Sequence, residues 1–134
     1  MYHKKMKLLK IKTFTANAVM GLLRGYSSEA ITLTEFKSVL LSAQTEIFQK
    51  YGIGLSIKLS TTEIFFLGQN EPSIDVQIIQ YPKFPQPEET LKKAFIQLIE
   101  IMMQELEQNR VVIVFPDETI MMEQSESIDP NIQF

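Results

Sequence analysis

The 134-residue sequence predicts one α+β domain with the element order β-α-β-β-α-β, a four-stranded sheet with two helices on one face. Three observations carry this. A capped amphipathic segment runs from Thr32 to Tyr51 and stops at Gly52. Two stretches, Leu55–Ser60 and Ser73–Tyr81, alternate apolar and polar residues. A second amphipathic segment from Pro87 to Leu106 leads into the apolar run VVIVF at 111–115.

Strand 1 is read at 8–15, LLKIKTFT, where Leu9 and Ile11 share one face and Lys10, Lys12 and Phe14 the other. The stretch 16–30 is ambiguous. Val19, Leu22 and Leu23 have helical spacing, but Gly21 and Gly25 weaken it, and Gly25-Tyr26-Ser27-Ser28 reads as a turn. Thr32 and Glu35 then form a capping box, with Ile31 and Phe36 placed for a hydrophobic staple. Leu33, Phe36, Leu40, Ala43, Ile47 and Tyr51 repeat every three or four residues, and Gly52 is free to take the positive φ that ends a helix.

Leu55, Ile57 and Leu59 form one face of strand 2. Thr61-Thr62 bends the chain before a second extended piece, Glu63–Leu67, and 68–72 reads as a turn. Ile74, Val76 and Ile78 form one face of strand 3. Pro87 suits the first turn of helix 2, and Glu88 and Glu89 favour its positive dipole end. Leu91, Phe95, Leu98, Met102 and Leu106 make its apolar face. Strand 4, at 111–115, is apolar on both faces, which requires cover on both. A basic arm (1–7), a core (8–115) and an acidic tail (116–134) complete the single domain. Ile120, Met121 and Met122 offer one short element in the tail.

Composition narrows the chemistry. Hydrophobic residues make up 45% and charged residues 22%, a globular balance. The absence of cysteine removes disulfides and thiol catalysis. A single histidine, His3, argues against a histidine zinc site and against a Ser-His-Asp triad. Five glycines stand without the spacing of a phosphate loop, so no cofactor is expected. Asp117, Glu118 and Glu123 read as a solvated acidic tail rather than a cation site. The lysines at 4, 5, 7, 10 and 12 do not make a nucleic-acid footprint, and no run is long enough to span a membrane. The expectation is a cytoplasmic protein without nucleic-acid or membrane partners.

With both helices on one face, strand 4 and the second face of strand 3 (Ile79, Tyr81) would leave an apolar sheet surface in water. Association through that face is therefore expected. A ferredoxin-like monomer shares the element order and is the alternative.

The segment Ile64–Lys83, IFFLGQNEPSIDVQIIQYPK, resembles the middle of macrophage migration inhibitory factor and its tautomerase superfamily. It has a hydrophobic run into Gly68, the Glu71-Pro72 pair, a strand, and a basic residue at Lys83. It is most similar to an uncharacterised bacterial branch with a polar tail ending in phenylalanine, as Phe134 does here. The resemblance implies a homotrimer with clefts at subunit boundaries. It also implies a catalytic proline at the start of strand 1, near Leu9, but the first proline in this chain is Pro72. Proline-based keto–enol tautomerase activity is therefore not expected. In the same resemblance, Leu9, Lys10, Tyr81 and Lys83 outline a candidate cleft for a small carboxylate, held by charge-assisted hydrogen bonds. The competing functions are a non-catalytic tautomerase-fold protein, a diverged isomerase or lyase with a lysine base, and a ferredoxin-like ligand-sensing or protein-interaction module.

Overall fold

A computed structural model describes residues 5–130. Residues 1–4 of the basic arm, with His3, and residues 131–134, with Phe134, lie outside the described residues. Seven elements follow in order: β1 (Thr15–Gly21), α1 (Leu33–Tyr51), β2 (Lys58–Phe66), β3 (Gln69–Ile79), α2 (Glu88–Glu105), β4 (Arg110–Val114) and β5 (Thr119–Glu123). They form one antiparallel five-stranded sheet in the order β2-β3-β1-β4-β5. The first four strands have the ferredoxin-like arrangement, with β1 in the middle.

The sheet thus has five strands, not the four expected. The fifth is the short element at Ile120–Met122, paired to β4 from Arg110↔Glu123 to Val114↔Thr119. Its alternation places Ile120 and Met122 toward the core and exposes Met121, which gives a tail segment enough buried surface to extend the sheet.

Strand 1 also lies further along the chain than the sequence predicts. Leu9 and Ile11 have the spacing of one strand face but, with Leu8, remain exposed and outside any strand. The strand is Thr15–Gly21, whose Ala16, Ala18 and Met20 face the helices and are buried. Alanine and glycine have poor strand propensity, so this segment gave a weak signal. Tertiary context selects it: Ala16 and Ala18 are buried beneath the helices beside the larger Ile74, Val76 and Ile78 of β3.

Register explains the two faces. Leu59, Val76, Ala18, Ile113 and Ile120 form one continuous row on the helix side. On the opposite face the row is Lys58, Gln77, Asn17, Val114 and Thr119. This open face is mixed, since the Asn17 amide donates to Asp75 (3.1 Å) while Val112, Val114, Met121 and Ile79 are each roughly half exposed.

α1 begins and ends where the sequence predicts, but only half of the capping box forms, because the Glu35 carboxylate turns to Arg24 instead of back to the Thr32 N–H. Thr32 Oγ1 accepts the Glu35 N–H at 3.1 Å, and Gly52 takes φ 70° while its N–H returns to Phe48 O. Ile31 and Phe36 are both buried. In α2, Pro87 sits just outside the first turn as the cap, with φ −56° and ψ 139°. α2 ends with the Glu107 N–H on Gln104 O and the Gln108 N–H on Met103 O, a paired closure that forces Glu107 to φ 52°. That closure aims Gln108 back across the end of the sheet.

β2 is one continuous strand where two pieces were expected. Thr61 and Thr62 are β-branched and simply extend it. The turn at 68–72 contracts to Leu67-Gly68, both at positive φ (48° and 87°), the backbone of a tight hairpin. β3 pairs with β1 only from Ser73 to Ile79, so the hairpin extends beyond the sheet as an arm.

Two outcomes test this architecture. Thr32→Ala should cost about 0.5–2 kcal/mol in urea unfolding, and Thr34→Ala distinctly less. Ile113→Asp should prevent folding, because it places an unpaired carboxylate on the buried side, whereas Val112→Asp should leave the fold intact by circular dichroism. Equal effects at either pair would show that the cap or the strand face is misassigned.

Candidate functional site

The end of β1 makes the site. Glu71, on the overhanging part of β3, lays its carboxylate across Gly21. A Cβ at residue 21 would stand 1.9 Å from Glu71 Oε1 and 3.1 Å from Gln108 Oε1. Only glycine leaves that space, so the sequence feature that weakened a helix here is what admits a carboxylate to the sheet surface.

Around this point lies a cavity of about 490 Å³. Its walls come from the loop after β1 (Leu23, Tyr26), the hairpin (Asn70, Glu71), the α2–β4 junction (Gln108, Asn109, Arg110) and the acidic tail (Asp129). Backbone bonds lock the loop, with Leu22 N on Pro72 O (2.9 Å) and Gly25 N on Glu107 O (2.8 Å). Arg24 holds the same loop from behind, reaching Glu35, Glu29 and Glu107 on neighbouring elements.

Acceptors dominate the interior. Gln108 is buried and spends its amide N–H groups on Leu23 O (2.8 Å) and Leu106 O (3.2 Å), which turns Oε1 toward Glu71. The Tyr26 hydroxyl donates away from the cavity, to Ser127 O at 2.9 Å. Arg110 pairs with Glu123 at 2.7 Å, and the Asn70 amide donates to Glu63 at 3.1 Å. Burial pushes the Glu71 carboxyl above the usual carboxylate range, and the charge of Asp129 adds to the effect. A pocket with these oxygen acceptors and a half-buried acid suits a cation or a donor-rich ligand.

The residues that the sequence singled out lie elsewhere. Tyr81 lines an apolar cleft of about 520 Å³ at the opposite end of β3, with Ile53, Leu55, Ile78 and Leu91. It stacks on Phe84 with ring centroids 5.9 Å apart. Leu9, Lys10 and Lys83 are exposed and outside that lining, so the structure brings only Tyr81 to a cleft. Among the described residues no cluster of His, Cys, Asp or Glu could hold a metal ion, and no helix is long and apolar enough to cross a membrane. Sequence reasoning missed Gly21, Gln108 and Tyr26 and noted Glu71 only beside Pro72. The available signal was an acid inside a strand, on the face away from the buried Ile74, Val76 and Ile78.

Comparison with known proteins gives a fold. No family model matches the chain, and no curated protein does. Two solved structures match over 93% of it. One is a phage SAM lyase in complex with S-methyl-5'-thioadenosine (TM-score 0.63, 17% identity, all of that chain covered). The other is a phage SAM lyase in the apo state (TM-score 0.66, 17% identity, 99% covered). A de novo designed protein with a ferredoxin fold aligns at TM-score 0.36 and 11% identity, over 87% of this chain and 88% of its own. The likeness to the two lyase structures corrects the tautomerase resemblance. The segment that suggested it, Ile64–Lys83, is the overhanging tip of the β2–β3 hairpin together with the part of β3 that pairs with β1 and the loop after it. Leu9, matched to the family's proline position, stands six residues before the first strand.

Two variants probe the site. Gly21→Ala should keep the fold, because the displaced atom is the end of a flexible side chain, yet should move the Glu71 carboxyl group off the sheet. Its titration, followed by carboxyl NMR, should return toward the ordinary range. Glu71→Gln tests the same burial through stability. The native state holds the Glu71 proton more tightly than the unfolded chain, so wild-type stability falls as pH rises through the window between the unfolded and the raised native pKa. The variant should therefore melt higher than wild type at pH 7.5, with the difference vanishing as pH falls below that window. A deficit at every pH would mean that Glu71 stabilises the fold as an anion.

Proposed function

We propose that the chain binds a cationic thionucleoside at the Glu71 cavity and acts as a lyase on a SAM-type sulfonium. One observation carries the reading: an acceptor-lined cavity built on Glu71 and Gln108, in a fold shared with phage SAM lyases. A sulfonium offers the positive charge that these acceptors favour, and the adenosine moiety brings an exocyclic amine and ribose hydroxyls as donors. Release of a methylthioadenosine from such a substrate breaks the bond between sulfur and the methionyl side chain. The electron pair goes to sulfur, which leaves as a neutral thioether, while the substrate's own carboxylate oxygen bonds to the carbon that sulfur leaves and closes a lactone, so that no further reactant is needed. In this reading Glu71 captures and orients the cation. A lyase was one of the alternatives raised from the sequence, but the lysine base proposed with it is not needed to hold the charge.

The test is direct. Purified protein incubated with S-adenosylmethionine should release S-methyl-5'-thioadenosine, detected by reverse-phase chromatography. Glu71→Gln should lower the rate at least about tenfold, in the range for loss of a single charged contact. Wild type that releases no product and whose melting temperature is unmoved by S-methyl-5'-thioadenosine would sink the reading.

The expected homotrimer belongs to the same proposal. Val112, Val114, Met121 and Ile79, each 43–54% exposed on the open face, support association through it. Light scattering should give about three times the 15.5 kDa chain mass, and Val112→Asp should reduce it to one. A wild-type monomer at micromolar concentration would refute the assembly and leave the lyase assay standing.

A further inference from the structure

The acidic tail does not leave the molecule after β5. It turns back over the Glu71 cavity, and four side chains pin it there. Asn109 Nδ2 donates to Ser127 O (3.0 Å), to Ser125 O (3.3 Å) and to the Tyr26 hydroxyl (2.8 Å). Tyr26 Oη donates to the same Ser127 O at 2.9 Å, and Arg110 Nη2 reaches it at 3.3 Å. Ser125 Oγ completes the clasp on Asn109 Oδ1 at 3.0 Å. Just before the clasp, Gln124 is tied to the α2–β4 junction through Gln108 O (2.7 Å) and Asn109 O (2.8 Å). The pins converge on one carbonyl, and two residues beyond it Asp129 enters the lining of the cavity that holds Glu71.

We infer that the strap Gln124–Pro130 is a working wall of the site, and that Asp129 on it is a specificity-determining residue that makes the cavity select a positively charged sulfur or its equivalent over a neutral one. This rests on the nucleoside reading above and goes beyond it in assigning the choice between charged and uncharged ligands to a tail residue. The geometry supports a built wall. Eight hydrogen bonds tie residues 124–127 to the rest of the chain, and four of them involve Asn109, whose neighbour Gln108 lines the same cavity. The electrostatics point the same way. The charge of Asp129 opposes the ionisation of Glu71 across the cavity; a cation bound there relieves that opposition, and a neutral thioether does not. The other charged or titratable groups at the cavity do not reverse this sign, because Arg110 is engaged by Glu123 and Tyr26 by the strap itself.

The experiment uses the full-length chain and two non-cleavable probes of one shape. Sinefungin carries an ammonium-bearing carbon where the substrate has its sulfonium, and S-adenosylhomocysteine carries an uncharged sulfur. By calorimetry, wild type should prefer sinefungin. Asp129→Asn should weaken sinefungin about three- to tenfold, the scale of one partly solvated ion pair, and leave S-adenosylhomocysteine within twofold. Tyr26→Phe, which removes a pin without touching either carboxylate, should show the same selective loss. In a ligand-free measurement, the carboxyl NMR titration midpoint of Glu71 should fall in Asp129→Asn. A midpoint that does not move, or equal weakening of both probes, overturns the inference. If wild type binds neither probe, the nucleoside reading fails, and trimethylsulfonium then decides on the pair. Shifts of the Glu71 and Asp129 carboxyl signals in wild type that disappear in Asp129→Asn uphold it, and their absence in wild type overturns it.

Discussion

Two helices rest on a sheet whose middle strand places alanine at two of its three helix-facing positions, Ala16 and Ala18 beside Met20, and the rest of the molecule is arranged around that constraint. β1 is hydrogen-bonded along both edges, so its helix-facing positions lie where the core is most crowded. Ala16 and Ala18 leave the volume that Phe36 and Phe95, both fully buried, occupy in the same core. A larger side chain at Ala18, which has no exposed surface, would force off-rotamer packing or a shifted helix, at a typical cost of about 1–3 kcal/mol. The same economy of side chain continues to Gly21, where the strand ends and the Glu71 carboxylate crosses it. Core packing and the candidate site thus depend on one short run of small residues.

That run explains what the sequence revealed and what it concealed. α1 was legible to its last residue because its signals are local and redundant: a cap at Thr32, a staple at Ile31 and Phe36, a regular apolar face, and a stop at Gly52. β1 was misplaced because Leu9 and Ile11 offer better alternation than Ala16 and Ala18, and alternation measures amphipathicity rather than hydrogen-bonding neighbours. β5 was underrated because a strand that covers only the outer edge of β4 needs just two inward residues, Ile120 and Met122. The candidate site was the least legible part. Gly21, Glu71, Gln108 and Asp129 are far apart in sequence and meet only through the sheet order, and none belongs to a motif with fixed spacing. The lysines that drew attention, Lys10 and Lys83, are conspicuous by charge and exposed in the structure.

The cavity is where local rules are broken together. Glu107 takes a left-handed backbone conformation that glycine would adopt at less cost, and by doing so it brings Gln108 across the end of the sheet. Glu71 is half-buried with no hydrogen-bond donor on its carboxylate among the described residues. Such exceptions cost stability, and a domain with otherwise satisfied buried side-chain atoms has no need of them for folding alone. They converge around one cavity, with an acidic strap fixed across it, and that sets the candidate site apart from the core beside it.

The tight turn at Leu67-Gly68 has a consequence for how the chain reaches this state. β2 and β3 are consecutive and joined by two residues, so their pairing can close on the timescale of an isolated hairpin, about 1–10 μs. β1 is made first but has no local partner. Its neighbours, β3 and β4, lie beyond one helix and beyond two, and each must be brought back before Ala18 can meet Val76 and Ile113. Pairings of that sequence separation form more slowly than local ones, so the central strand depends on long-range closure. Until then the amino-terminal segment waits in solvent. Its sequence TANAVMG, with two alanines, an asparagine and a glycine around Val19 and Met20, is less prone to strand association than a continuous run of bulky apolar residues.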